Sequence, residues 1–126
     1  MTPLRRALAA GLLLGAGALC APNPAIAHAL VFESSPRANE VVTASPSRIF
    51  LRFNSRIEKG LSSVTVTGPA GRPIPLPVAA PDRSPDRLVV PVPPLPPGTY
   101  LVRWKVLSAD GHVTEGAFRF TVAPGP

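Results

Sequence analysis

The chain has 126 residues, 45% of them hydrophobic, with 13 Lys and Arg against 7 Asp and Glu and a formal charge of +6. That length holds a leader and one small domain. The basic residues are scattered along the chain rather than clustered, the pattern of a solvated domain surface, which argues against a nucleic-acid partner.

The first stretch reads as a secretory leader. Arg5-Arg6 forms a positive start, an apolar run follows from Ala7 to Leu19, and Pro22 and Pro24 interrupt any helix beyond it. The run is short for a membrane span. Ala25 and Ala27 are the small residues of an Ala-x-Ala cleavage site, so the expected boundaries are a signal peptide over 1–27 and a domain over 28–126. A lipoprotein would need Cys20 as its first residue, but Leu19 before it is bulkier than that processing prefers. Cleavage after Ala27 removes Met1 and Cys20, the only methionine and the only cysteine. No disulfide would then staple the domain, so its hydrophobic core must hold it.

After His28 the apolar residues alternate. Ala29-Leu30-Val31-Phe32 predicts a short strand ending at Ser34-Ser35-Pro36. Ile49, Leu51 and Phe53 share one face of a second strand, opposite Arg48 and Arg52. Val64 to Thr67 predicts a third, closed by the turn signal Gly68-Pro69-Ala70-Gly71. Pro73, Pro75 and Pro77 predict an exposed edge or loop, and Leu88-Val89-Val90 a further strand. Pro93 to Gly98 forms a stiff crossing into the strand Thr99–Leu107, where Tyr100, Val102, Trp104 and Val106 face one way, toward the core. Phe118, Phe120 and Val122 alternate in the last strand. No segment has a helical period. About seven short strands in roughly 100 residues predict an all-β, immunoglobulin-like Greek-key sandwich or barrel.

Two histidines stand out because there are only two. Cleavage after Ala27 would make His28 the N-terminal residue, whose α-amine and ring Nδ1 can close a six-membered chelate ring on one metal ion. The other, His112, follows Asp110 in Asp110-Gly111-His112, where Asp-Gly also suits the turn needed between the last two strands. If that segment is extended, Asp110 and His112 point to the same side. His28, Asp110 and His112 would together offer three nitrogens and one oxygen. A tetragonal N/O set favours Cu(II), with zinc as the competitor.

Further residues resemble a known family. His28-Ala29, Ser34-Ser35-Pro36, Leu51-Arg52-Phe53, Gly98-Thr99-Tyr100, Trp104, Ser108 to His112, Gly116 and Phe118 to Val122 look like the CopC family of periplasmic copper-binding proteins. The resemblance implies a cupredoxin-like barrel. It also implies one Cu(II) per chain, held by His28, Asp110 and His112 and serving copper tolerance, buffering or delivery from the periplasm. It makes a CopD-like inner-membrane copper transporter a candidate partner, without membrane insertion of the processed chain. Some members add a methionine-rich Cu(I) loop, which the absence of methionine after Met1 predicts to be missing here. Members often carry a glutamate shortly after the Phe53 position that supports the copper from outside its ligand set. Here Ser55 stands near that place, with Glu58 as a substitute.

Two other functions fit parts of the pattern. A histidine-brace copper oxidase also uses an N-terminal histidine, but it needs an open coordination position and a substrate platform. Asp110 would fill that position, and Tyr100 and Trp104 fall in the core register. A metal-free sandwich for adhesion or assembly requires both histidines to be incidental. The chain is therefore expected to be a binding protein and not an enzyme.

Overall fold

The computed structural model describes residues 30–77 and 83–125. Eight strands follow one another: β1 (Val31–Ser35), β2 (Val41–Val42), β3 (Arg48–Phe53), β4 (Ser63–Thr67), β5 (Pro73–Ile74), β6 (Arg87–Pro91), β7 (Gly98–Leu107) and β8 (Val113–Val122). Two short 3₁₀ turns, Lys59–Leu61 and Pro69–Gly71, are the only helical elements among the described residues. The all-β expectation therefore holds, with two two-residue strands added to those the alternation picks out.

The strands form two sheets. One has three strands in the order β1-β3-β6, and the other five in the order β2-β8-β7-β4-β5. All pairs are antiparallel except β2 with β8, which is parallel. The proline-rich stretch behaves as its composition requires: Pro73–Ile74 lies at an edge, where a missing N–H costs no central ladder bond.

β1 runs further than its hydrophobic residues suggest. Ser34 and Ser35 pair with Leu51 and Phe50, past an irregularity between Val31 and Glu33, so tertiary pairing overrides the turn signal at the serines. β8 likewise begins at Val113, five residues before Phe118, because its partner β7 extends the ladder to Leu107.

The core lies between the sheets. Ile49, Leu51, Phe53, Leu88 and Val90 line it from one side; Val66, Tyr100, Val102, Trp104, Val106, Phe120 and Val122 line it from the other. Phe53 meets Trp104 edge-on across the gap, with ring centroids 5.4 Å apart and planes at 74°. Tyr100 stacks on Phe120 at 5.5 Å, and its buried hydroxyl donates to the Pro96 carbonyl. Burial pushes that phenol above its ordinary pKa. The core assignment of Trp104 is thus correct: the side chain is 9% exposed and lies over the Cα of its cross-strand partner Gly116.

Candidate metal centre

β7 and β8 make the longest ladder of the fold, ten pairs from Gly98–Val122 to Leu107–Val113. The loop that closes it, Ser108 to His112, carries Asp110 and His112. Ser108 is 2% exposed, accepts the Gly111 N–H at 2.9 Å, and donates its own N–H to the His112 carbonyl at 2.8 Å. Gly111 has φ +89°, a conformation that favours glycine and explains the Asp-Gly dipeptide.

Asp110 and Gly111 lie in a turn, as the Asp-Gly dipeptide suggests, and the extended alternative does not apply. Asp110 Oδ1 accepts the His112 backbone N–H at 3.1 Å, and Oδ2 lies 3.1 Å from His112 Nδ1. A short acidic side chain that bonds the backbone two residues on is the ordinary Asx device of tight turns. It brings the two candidate ligands together by another route than pleat geometry. The His112 backbone N–H bond, followed by the His112 ring, holds the Asp110 carboxyl below its usual range. Both side chains are open to solvent, the imidazole 60% and the carboxylate 34% exposed.

The third candidate, His28, lies outside the described residues, as do the Ala25–Ala27 cleavage site and the whole leader. Among the described residues no group of three or more His, Cys, Asp or Glu forms a metal cluster, so Asp110 and His112 stand as a pair. The described residues begin two further on, at Leu30, which is held through both its N–H and its carbonyl. Leu30 donates its N–H to Asn54 Oδ1 at 2.8 Å and accepts the Asn54 N–H at 3.0 Å.

Asn54 opens the segment that also holds the hairpin loop. Two residues on, the Arg56 carbonyl accepts the Ala109 N–H at 3.0 Å, Ile57 bridges to Ser108, and Glu58 donates its N–H to Leu107 at 2.8 Å. One short run, 54–58, therefore ties down the residue two after His28 and the residue one before Asp110. Sequence reasoning missed this role of Asn54 and Arg56, because a side-chain amide at a strand end carries no signal of its distant partner. Of the two residues weighed as outer supports, Glu58 is exposed and contributes its backbone, whereas Ser55 Oγ is buried without a hydrogen-bond partner among the described residues.

A carboxylate and an imidazole in contact supply one oxygen and one nitrogen donor, half of a tetragonal N/O set. If Nδ1–H is donated to Asp110, the ring lone pair sits on Nε2, the arrangement by which carboxylates orient metal-ligating histidines.

The model of the CopC domain matches residues 31–123, nearly all of the described structure. The chain belongs to the CopC family. Protein YobA of Escherichia coli K12 is 42% identical over 98 residues, covering 76% of this chain and 79% of its own. Copper resistance protein C of Escherichia coli is 39% identical over 106 residues, covering 78% and 83%. The crystal structure of CopC from Methylosinus trichosporium OB3b superposes with a TM-score of 0.74 at 35% identity, over 79% of this chain and 97% of that one. PcoC of Escherichia coli, described as a methionine-rich copper resistance protein, superposes at 0.68 with 32% identity, over 75% and 98%. The family is one of copper resistance proteins, and its sandwich is the fold found here.

Proposed function

We propose that this CopC-family protein is an exported Cu(II) carrier that holds one ion through the amine and imidazole of a processed N-terminal His28 together with Asp110 and His112. The observation that carries the reading is the double attachment of segment 54–58, to Leu30 on one side and to Ser108 and Ala109 on the other. Two residues span at most about 7 Å of chain. A His28 at the new terminus therefore stays within that distance of a point already fastened beside the Asp110 loop.

Copper rather than zinc follows from the donor set and from the place of Cu(II) at the top of the affinity order. Cu(I) is disfavoured, since Met1 and Cys20 are the only sulfur residues and both would leave with the leader. Here the chain departs from PcoC, whose description stresses methionine. Asp110 in the fourth position favours the oxidised ion and suits carriage over redox catalysis. Among the described residues no helix is long and apolar enough to cross a membrane. The role proposed is buffering and delivery in the periplasm, with a CopD-like inner-membrane transporter as the recipient.

The decisive experiment places one glycine ahead of His28. The extension turns a basic amine into an amide and breaks the six-membered chelate while keeping the imidazole. Cu(II) affinity measured against a chelating competitor should fall by at least tenfold, and the EPR spectrum of the one-copper protein should lose a nitrogen. Equal affinity with and without the glycine would sink the terminal chelate and leave an imidazole-only site.

A further inference from the structure

Along one side of the sandwich the two sheets do not close on each other. β1 is the outer strand of the three-stranded sheet, and among the described residues β2 flanks β8 only at Thr121 and Val122. There the Asn39 N–H donates to the Arg119 carbonyl at 2.6 Å, and the Thr121 N–H donates to Glu40 at 2.8 Å. Arg119 and Thr121 thus turn their backbone groups away from β7. These groups alternate along a strand, so Glu115 and Ala117 turn theirs the same way. Neither has a backbone partner on that side among the described residues.

Beside this bare edge, between β8 and β1, runs a groove of about 750 Å³. Leu30 and Phe32 line it from the side of β1, Gly116 and Phe118 from β8, and the Trp104 indole lies over Gly116. Two of these apolar side chains face water, Phe32 at 70% and Leu30 at 51% exposure. Trp104 is 9% exposed, yet its Nε1–H makes no hydrogen bond among the described residues. Ser55 Oγ is the one described side-chain N or O sealed from solvent without a partner, so the indole N–H is open to an occupant of the groove.

We infer that this edge takes up an extended segment of a partner protein as an added strand beside β8, with every second side chain apolar and seated in the groove. An unpaired strand edge is a template for another backbone, and a neighbouring trough selects the side chains. Glu115 and Ala117 would hold the segment through their N–H and C=O groups, and one of its oxygens would accept the indole N–H. A small apolar molecule would fill the groove but leave the edge unpaired. A second copy fits poorly, because its ten-residue β8 would overrun the stretch from Val113 to Phe118 and meet Asn39 and Glu40.

The test uses protein recovered after export, its N-terminus fixed by intact mass, and a series of nine-residue peptides in which Val, Leu or Phe alternates with Thr or Lys. In the free protein the amide protons of Glu115 and Ala117 should exchange faster than those of Gly116 and Phe118, which face β7. A peptide that binds should slow exchange at Glu115 and Ala117 and shift the emission of Trp104, the only tryptophan. Methylating the peptide's backbone nitrogens should abolish binding, because it removes the donors and keeps the side chains. Phe32→Ser should weaken binding about tenfold by removing apolar surface from the contact. Ala117→Pro deletes an edge N–H without touching the β7 ladder and should abolish binding, with circular dichroism as the folding control. Failure of every peptide to bind, or binding without protection of Glu115 and Ala117, would overturn the proposal. So would the same protection appearing with protein concentration alone, which would give the edge to a second copy.

Discussion

Asp110 and His112 are bonded twice, once through backbone and once through ring, and both bonds need the carboxylate. The Asp110 pKa is depressed in the folded protein, so the contribution is complete above the unfolded carboxyl value and is lost as pH falls through the folded one. Both groups face solvent, so the pair shapes the loop more than it stabilises the fold. His112→Ala should therefore leave the urea midpoint unchanged while weakening Cu(II) binding at least tenfold, with circular dichroism as the folding control. Asp110→Asn should weaken binding less than His112→Ala and should make bound copper easier to reduce, because it replaces an anionic ligand with a neutral one. Ser55 makes the contrasting case. Its buried hydroxyl has no partner among the described residues, so Ser55→Ala should raise the stability of the metal-free protein by about 1 kcal/mol in urea unfolding. A loss of stability would mean that the hydroxyl has a partner in solution. The Asp-Gly-His motif was legible in the sequence because three adjacent residues carry it. The proposed chelate partner His28 rests on the reading of the leader, since nothing local marks it as a ligand.

The hairpin β7–β8 depends on one close approach. A Cβ on Gly116 would stand 2.3 Å from Trp104 Cζ2, and the indole cannot retreat because Phe53 packs against it. Gly116→Ala should cost about 1–3 kcal/mol and change the near-ultraviolet spectrum of Trp104. Gly60→Ala, where nothing lies within 4 Å, should stay within about 0.5 kcal/mol. The alternation of Tyr100, Val102, Trp104 and Val106 was enough to assign the inward face of β7, since period two is a local property. Gly116 carried no such signal, because its reason lies across the ladder in Trp104. β2 escaped notice, and β5 was read only as an exposed edge or loop, for a related cause: two residues are too few to alternate, and both strands exist only through their neighbours β8 and β4. The clamp at Asn54 belongs here too. Asn54→Ala removes the side-chain bond to Leu30, should cost about 0.5–1.5 kcal/mol, and should weaken Cu(II) binding by loosening the chain that leads to His28.

At the scale of the molecule, the sandwich holds Leu30 and its last hairpin against one segment, so a metal bound by the proposed His28 terminus and the hairpin loop together should stabilise the fold itself. The described core is built without disulfides, from side chains of both sheets. A ligand that binds only the folded state adds about 2.7 kcal/mol when its concentration is a hundred times its dissociation constant. For a domain of this size that corresponds to a rise in Tm of about 10–20 °C. The exported protein should therefore melt higher with one equivalent of Cu(II), and a chelator should reverse the shift. Zn(II) should raise Tm less, because its tetrahedral preference suits the donor set poorly. Cu(I) under reducing conditions should raise it least, since no sulfur remains to bind it. The glycine-extended chain should keep its metal-free Tm and lose most of the copper-induced rise, because its fold is intact and only the chelate is broken. A full copper shift in the extended protein would show that the ion is held by the Asp110–His112 loop without the N-terminus. A larger shift with zinc than with copper would assign the site to a different metal while leaving the sandwich and its clamp unchanged.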